Sequence, residues 1–131
     1  MSCQDPVSMA IISIRNALKA RKDFVMIPGS KLKTEIVKIL LAEGFIKDYK
    51  VINNKNSFEL KVILKYDENG GVISEMKRVS KLSRRMYLAK EDVKPVRNGM
   101  GISILTTSQG IMTDLKARKL GIGGEIICTV W

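Results

Sequence analysis

Thr106, Thr107 and Ser108 set three hydroxyl side chains in succession, closed shortly afterwards by Gly110. Short hydroxyls both donate and accept hydrogen bonds and lose little rotamer entropy when ordered, so a run of them suits phosphate and ribose oxygens. Upstream, Ile102, Ile104 and Leu105 favour a strand. Downstream, Thr113 stands as N-cap of a basic helix through about Asp114 to Lys119 that stops at Gly121. Strand, hydroxyl loop and helix start place free backbone N–H groups and a helix dipole on one edge, an arrangement fit for anions.

Other chemistries have little to draw on. The chain holds no histidine, which excludes histidine-based general bases and triads. Its two cysteines, Cys3 and Cys128, lie at opposite ends without metal-ligand spacing, so neither a metal nor another cofactor is expected. An enzyme using the hydroxyl loop as a phosphate cradle would need a concave pocket with perturbed titratable groups, and no Gly-x-x-x-x-Gly-Lys loop supports it. No stretch approaches the roughly 18 apolar residues of a membrane span. Asp5 and Pro6 interrupt any secretory signal, so the expected location is cytosolic.

Charge is more informative. The 23 basic residues against 13 acidic ones give a net charge of +10, spread through both halves, and a globular protein this basic usually meets a polyanion. Aromatic residues are only 5% of the chain, too few for a platform that stacks single strands. Structured or duplex RNA gripped by its backbone fits better, with architectural binding of DNA as the competitor that a preference for B-form duplex would reveal. The charge is densest between Lys77 and Arg97, where Lys77, Arg78, Lys81, Arg84, Arg85, Lys90, Lys94 and Arg97 oppose only Glu91 and Asp92. Phosphate contact explains such a one-signed field better than a solvated loop does. Tyr87 beside Arg85 is compatible with stacking on a base and equally with filling the core.

The elements that position these groups follow from periodicity. Asp5-Pro6 starts a helix whose inward face carries Val7, Ala10, Ile11, Ile14, Ala17 and Leu18. Arg15, Lys19 and Lys22 form a basic stripe, read first as a solvated face. Phe24–Ile27 is a strand. Ser30 caps a second helix over residues 31–43, with Leu32, Ile36, Ile39 and Leu40 inward; Lys31 and Lys33 in its first turn oppose the helix dipole and favour a nearby anion. Phe45–Ile52 and Ser57–Tyr66 form a hairpin. Gly71–Ser80, Met86–Leu88 and Glu125–Trp131 are further strands, and Asp92–Pro95 is a turn or one helical turn. The expected fold class is α+β in two small domains. Residues 1–66 form an α/β unit of two helices on a three-stranded sheet, residues 67–71 a linker, and residues 72–131 a mostly β domain with one short helix.

The motif Gly-x-x-Ile-Leu-Thr-Thr-x-x-Gly-Ile-Met-x-x-x-x-Ala-Arg over Gly101–Arg118, continued by Lys-Leu-Gly-x-Gly-Gly-Glu to Glu125, resembles the signature of the bacterial type of the eighth small-subunit ribosomal protein family. Asp5-Pro6, Ile14–Ala17, Pro28 with Ser30–Lys33, Glu43–Tyr49, Arg84-Arg85 with Tyr87, and Trp131 fall where that family has them, so the resemblance spans the chain. It implies a non-catalytic constituent of the small ribosomal subunit, on a cytoplasmic or organellar ribosome. It also implies a primary binder of a central-domain helix of small-subunit ribosomal RNA that promotes assembly of the platform beside neighbouring ribosomal proteins. The residues implied for RNA contact are Thr106, Thr107, Ser108, Gly124, Glu125, Tyr87, Arg85, Arg84, Ser30 and Lys31. Two departures stand out: Ser8 replaces an acidic residue, and Gln109 replaces the lysine of the family's Ser-Thr-Ser-Lys-Gly loop. The charge missing at Gln109 must then come from residues 77–97 and the N-terminal lysines.

Overall fold

Asp5 opens the first helix as read from the sequence: its carboxylate accepts from the Val7 amide (3.1 Å) and from the Ser8 hydroxyl (2.9 Å), with Pro6 at the first helical position. Ser8 thus serves the cap with its own hydroxyl. The computed structural model describes residues 5–81 and 83–131, so Cys3 and Leu82 lie outside the described residues. The chain divides into two compact units between Ser74 and Glu75, and its class is α+β.

In the first unit, α1 (Pro6–Lys19), β1 (Phe24–Pro28), α2 (Lys31–Ala42), β2 (Ile46–Asn53) and β3 (Phe58–Leu64) build a three-stranded antiparallel sheet of order β1-β3-β2. α1 lies against β1 and α2 against β2. The central strand alternates, burying Leu60, Val62 and Leu64. α1 buries Val7, Ala10, Ile11, Ile14 and Ala17, while Leu18 is half-buried. The inward face of α2 is rotated from the expected one: Lys33, Ile36, Val37 and Leu40 are buried, whereas Leu32 and Ile39 are half-buried. The Lys33 stem covers apolar surface that a simple apolar count assigned to its neighbours. Tyr66–Asp67 (β4) and Gly70–Gly71 (β5) pair as a tight hairpin, with Gly70 at φ +115°.

The second unit is a five-stranded sheet. Its path is β6 (Met76–Arg78), β10 (Gly124–Val130), β8 (Ile102–Thr107), β9 (Gly110–Thr113), and β7 (Tyr87–Leu88) also pairs with β10. α3 (Asp114–Leu120) packs on β8 and β9. Val93, Leu105, Met112, Ala117 and Ile126 form a buried cluster on one side of it, and Met76, Ile104, Cys128 and Val130 are buried as well. Three expectations need correction. Strand over Gly71–Ser80 shrinks to Met76–Arg78, because Gly70-Gly71 pairs locally with Tyr66-Asp67 instead. The turn or single helical turn expected at Asp92–Pro95 lies earlier, as a 3-10 turn at Lys90–Asp92, since Pro95 disfavours helix at Lys94. Between the hydroxyl run and α3 stands an additional strand, β9. Among the described residues, no helix is long and apolar enough to cross a membrane.

Candidate nucleic-acid interface

β8 enters the site as a wholly buried run. Ile102 to Leu105 are all buried, and the Ser103 amide donates to the Asp114 carboxylate (3.0 Å) across the sheet–helix contact. Arg118 pairs with the same carboxylate at 2.7 Å, which satisfies a charge that would be costly to bury alone. Burial then ends abruptly: Thr106 is exposed and Thr107 half-buried. Both still belong to the strand, and the turn consists of Ser108 and Gln109 alone, because Thr107 pairs with Gly110.

The three hydroxyls differ in what they have left to offer. Thr107 donates to the Gly110 carbonyl (2.8 Å) and accepts from the Gln109 amide (3.1 Å), so its hydroxyl closes the turn. Gly110 supplies the positive φ (+110°) that this closure requires. Thr106 and Ser108 are exposed and, among the described residues, their hydroxyls hold no hydrogen bond. The expected helix-start anion site does not form. β9 separates α3 from the turn, α3 is only seven residues long, and the Lys116 amide in its first turn is taken by the Thr113 hydroxyl.

Register defines a row across three strands. Glu125 on β10 lies opposite Thr106 on one side and Tyr87 on the other, so the three side chains share one face. Tyr87 is 70% exposed, so the ring lies outside the core. Gly123 and Gly124 make the row possible. A Cβ on Gly124 would meet the Thr106 carbonyl oxygen at 2.3 Å, and one on Gly123 would meet that of Leu88 at 2.1 Å. Only backbone fits where β10 begins between β7 and β8.

Glu125 is fastened from below. Its Oε2 accepts from the Ser80 hydroxyl (2.5 Å) and from Arg85 Nη1 (2.9 Å). Burial opposes its ionisation, but the bonds from Ser80 and Arg85 and the charges of Arg85 and Arg78 outweigh that and hold the carboxyl below its ordinary pKa. Ser80 is fully buried and also accepts from the Met86 amide (3.0 Å). Neither Ser80 nor Asp114 was singled out from the sequence; their partners lie 45 and 11 positions away, beyond the reach of local spacing.

The basic segment is partly committed to the fold. Arg78 Nη1 donates to the Ile127 carbonyl (2.9 Å), Arg85 pairs with Glu125, and Lys77 and Arg97 lie over the Trp131 ring at 5.5 and 4.5 Å. Lys81, Arg84, Lys90 and Lys94 are exposed and hold no side-chain partner among the described residues. Arg84 sits in a tight bridge with Lys81 that projects these charges. In the first unit, Ser30 caps α2 by accepting from the Lys33 amide (3.1 Å), and Lys31 is exposed. Lys33 is no outward cation: it is buried, and burial lowers its pKa. A cleft of about 870 Å³, lined by Ser13, Asn16, Arg21, Lys22, Phe24 and their neighbours, also lies in the first unit and includes none of the candidate residues. No group of metal-ligating side chains occurs among the described residues.

Taken together, the exposed hydroxyls, an exposed aromatic ring and unpaired cations on a rigid sheet edge suit a backbone-contacted nucleic acid. The family model for ribosomal protein S8 matches residues 5–131. The chain is 50% identical to small ribosomal subunit protein uS8 of Geobacter sulfurreducens, with all of both chains covered. It is 49% identical to the protein of the same name from Thermodesulfovibrio yellowstonii, over 97% of this chain and 98% of the relative. With that from Halothermothrix orenii it is again 49% identical, over the full length of both.

Proposed function

The chain belongs to the ribosomal protein S8 family, a family of structural constituents of the small ribosomal subunit rather than enzymes, and from that premise we propose that it binds small-subunit ribosomal RNA directly. The partner is an irregular central-domain helix, recognised by shape across its minor groove, and the bound protein promotes assembly of the platform beside neighbouring ribosomal proteins. It would do this on the ribosome in the cytoplasm. No catalytic step is needed.

The observation that carries this reading is the row Tyr87–Glu125–Thr106 with Ser108 at its edge, flanked by exposed cations. A-form RNA displays 2′-hydroxyls in a wide, shallow groove, where short hydroxyl side chains can donate and accept. Thr106 and Ser108 are the direct contacts in this scheme, Thr107 shapes the turn, and Gly124 allows close approach. Tyr87 offers a face to a base or ribose. Arg84, with part of the charge of Arg85, addresses phosphates, and Ser30 and Lys31 add contacts from the first unit. Chemical footprinting of small-subunit ribosomal RNA with and without the protein tests the proposal. Protection confined to one central-domain helix is expected, while equal affinity for a random duplex of the same length would overturn it.

A further inference from the structure

Glu125 is the acidic member of a face suited to a polyanion, and a carboxylate turned toward phosphates would repel them. Its contacts within the protein indicate a different employment. Ser80 donates to Glu125 and accepts from the Met86 amide, Arg85 pairs with Glu125, and the Ile126 amide donates to the Met86 carbonyl (2.9 Å). Residues 80, 85 and 86 are therefore all fastened to 125–126, and Tyr87 follows immediately, in register with Glu125. The loop so held carries Lys81, Arg84 and Arg85, whose like charges push one another apart without a counter-charge.

We propose, resting on the RNA-binding reading above, that Glu125 is a positioning residue. With Ser80 it locks the 80–86 loop so that Tyr87 and Arg84 stand beside Thr106, and it does not itself touch the RNA. The lock is an internal acidic clasp on a basic loop, and its worth to the RNA is conveyed through Tyr87 and Arg84.

Two measurements on the full chain test this: hydrogen exchange of the Met86 amide without RNA, and affinity for the small-subunit ribosomal RNA helix. Glu125→Ala is expected to speed Met86 exchange and weaken binding about tenfold, the scale of a lost charge-assisted hydrogen bond. Tyr87→Ala should weaken the wild type but add little on top of Glu125→Ala, since the ring is already misplaced there. Glu125→Gln keeps an acceptor for Ser80 but not the counter-charge, and should give Met86 protection and affinity between those of Glu125→Ala and the wild type. Should Glu125→Ala fail to fold, Ser80→Ala decides the matter through RNA affinity and exchange of the Ile126 amide, which donates to the Met86 carbonyl and not to Ser80. Unchanged Met86 exchange with additive Glu125 and Tyr87 losses would overturn the lock in favour of direct RNA contact, and tighter binding by Glu125→Ala would overturn it in favour of simple repulsion. Absence of RNA binding by the wild type would sink the functional reading itself, whereas failure of the lock leaves wild-type binding intact.

Discussion

Thr107 and Ser108 are neighbours with the same functional group, the first bonded within its own turn and the second without a partner among the described residues, and substitution separates the roles proposed for them. Ser108→Ala should weaken RNA binding roughly three- to tenfold, the scale of one net hydrogen bond, without changing thermal stability. The dependence of affinity on salt should also hold, because no phosphate charge is neutralised at that position. Thr107→Ala removes the turn's own bonds to Gly110 and Gln109 and should cost about 1 kcal/mol of stability. Binding curves at several salt concentrations, with thermal melts of both variants, check the pair; a lowered salt slope for Ser108→Ala would count against the hydroxyl role. Glu125 gives a pH signature. Its folded-state pKa is lowered, so its ionised form contributes stability above the ordinary glutamate pKa and that contribution is lost as pH falls through the folded value. The gap in melting temperature between wild type and Glu125→Gln is therefore expected near neutrality and should close in acid.

Among the elements, the caps were readable in advance because their chemistry is local: Asp5-Pro6, Ser30 and Thr113 each serve amides two or three residues away. Strand β9 was not. Gly110–Thr113 is four residues long, and its identity depends on Thr107 closing a two-residue turn onto Gly110, so the hydroxyl run looked like an open loop. The inward face of α2 was misplaced for a related reason: a lysine stem can occupy a buried position that a hydrophobic pattern leaves unmarked. The tie between Ser80 and Glu125 is tertiary and has no local signal at all. The start of β10 depends on the absence of side chains. Gly124→Ala forces a methyl group against the Thr106 carbonyl and should cost about 1–3 kcal/mol, as overpacking does. It should also displace Thr106 from its place beside Glu125. Chemical denaturation reads the first effect and RNA affinity the second; wild-type stability in this variant would refute the packing argument.

Across the whole molecule, the proposed function divides its work: charge supplies attraction and the paired strands supply selectivity. Net charge of +10 draws in a polyanion of any sequence, but a count of lysines and arginines overstates the freely presented field, because Arg78, Arg85, Lys77 and Arg97 also hold the second unit together. One strand carries a consequence in time. β10 is the last strand in chain order, yet β6, β7 and β8 all pair with it. The sheet of the first unit needs nothing beyond residue 64, so it can close while the second unit still lacks its central strand. During synthesis at ~5–20 residues per second, the hydroxyl turn waits roughly one to four seconds, and the basic loop roughly two to ten, for the strand that aligns them. Pulse-labelled hydrogen exchange during refolding should find the amides of β1–β3 protected before those of β6 and β8, since the latter await a pairing far along the chain. On the proposed RNA-binding reading, recognition is thus timed by the arrival of residues 124–130: a partially made chain carries much of the charge that would attract RNA, but not yet the surface proposed to select it.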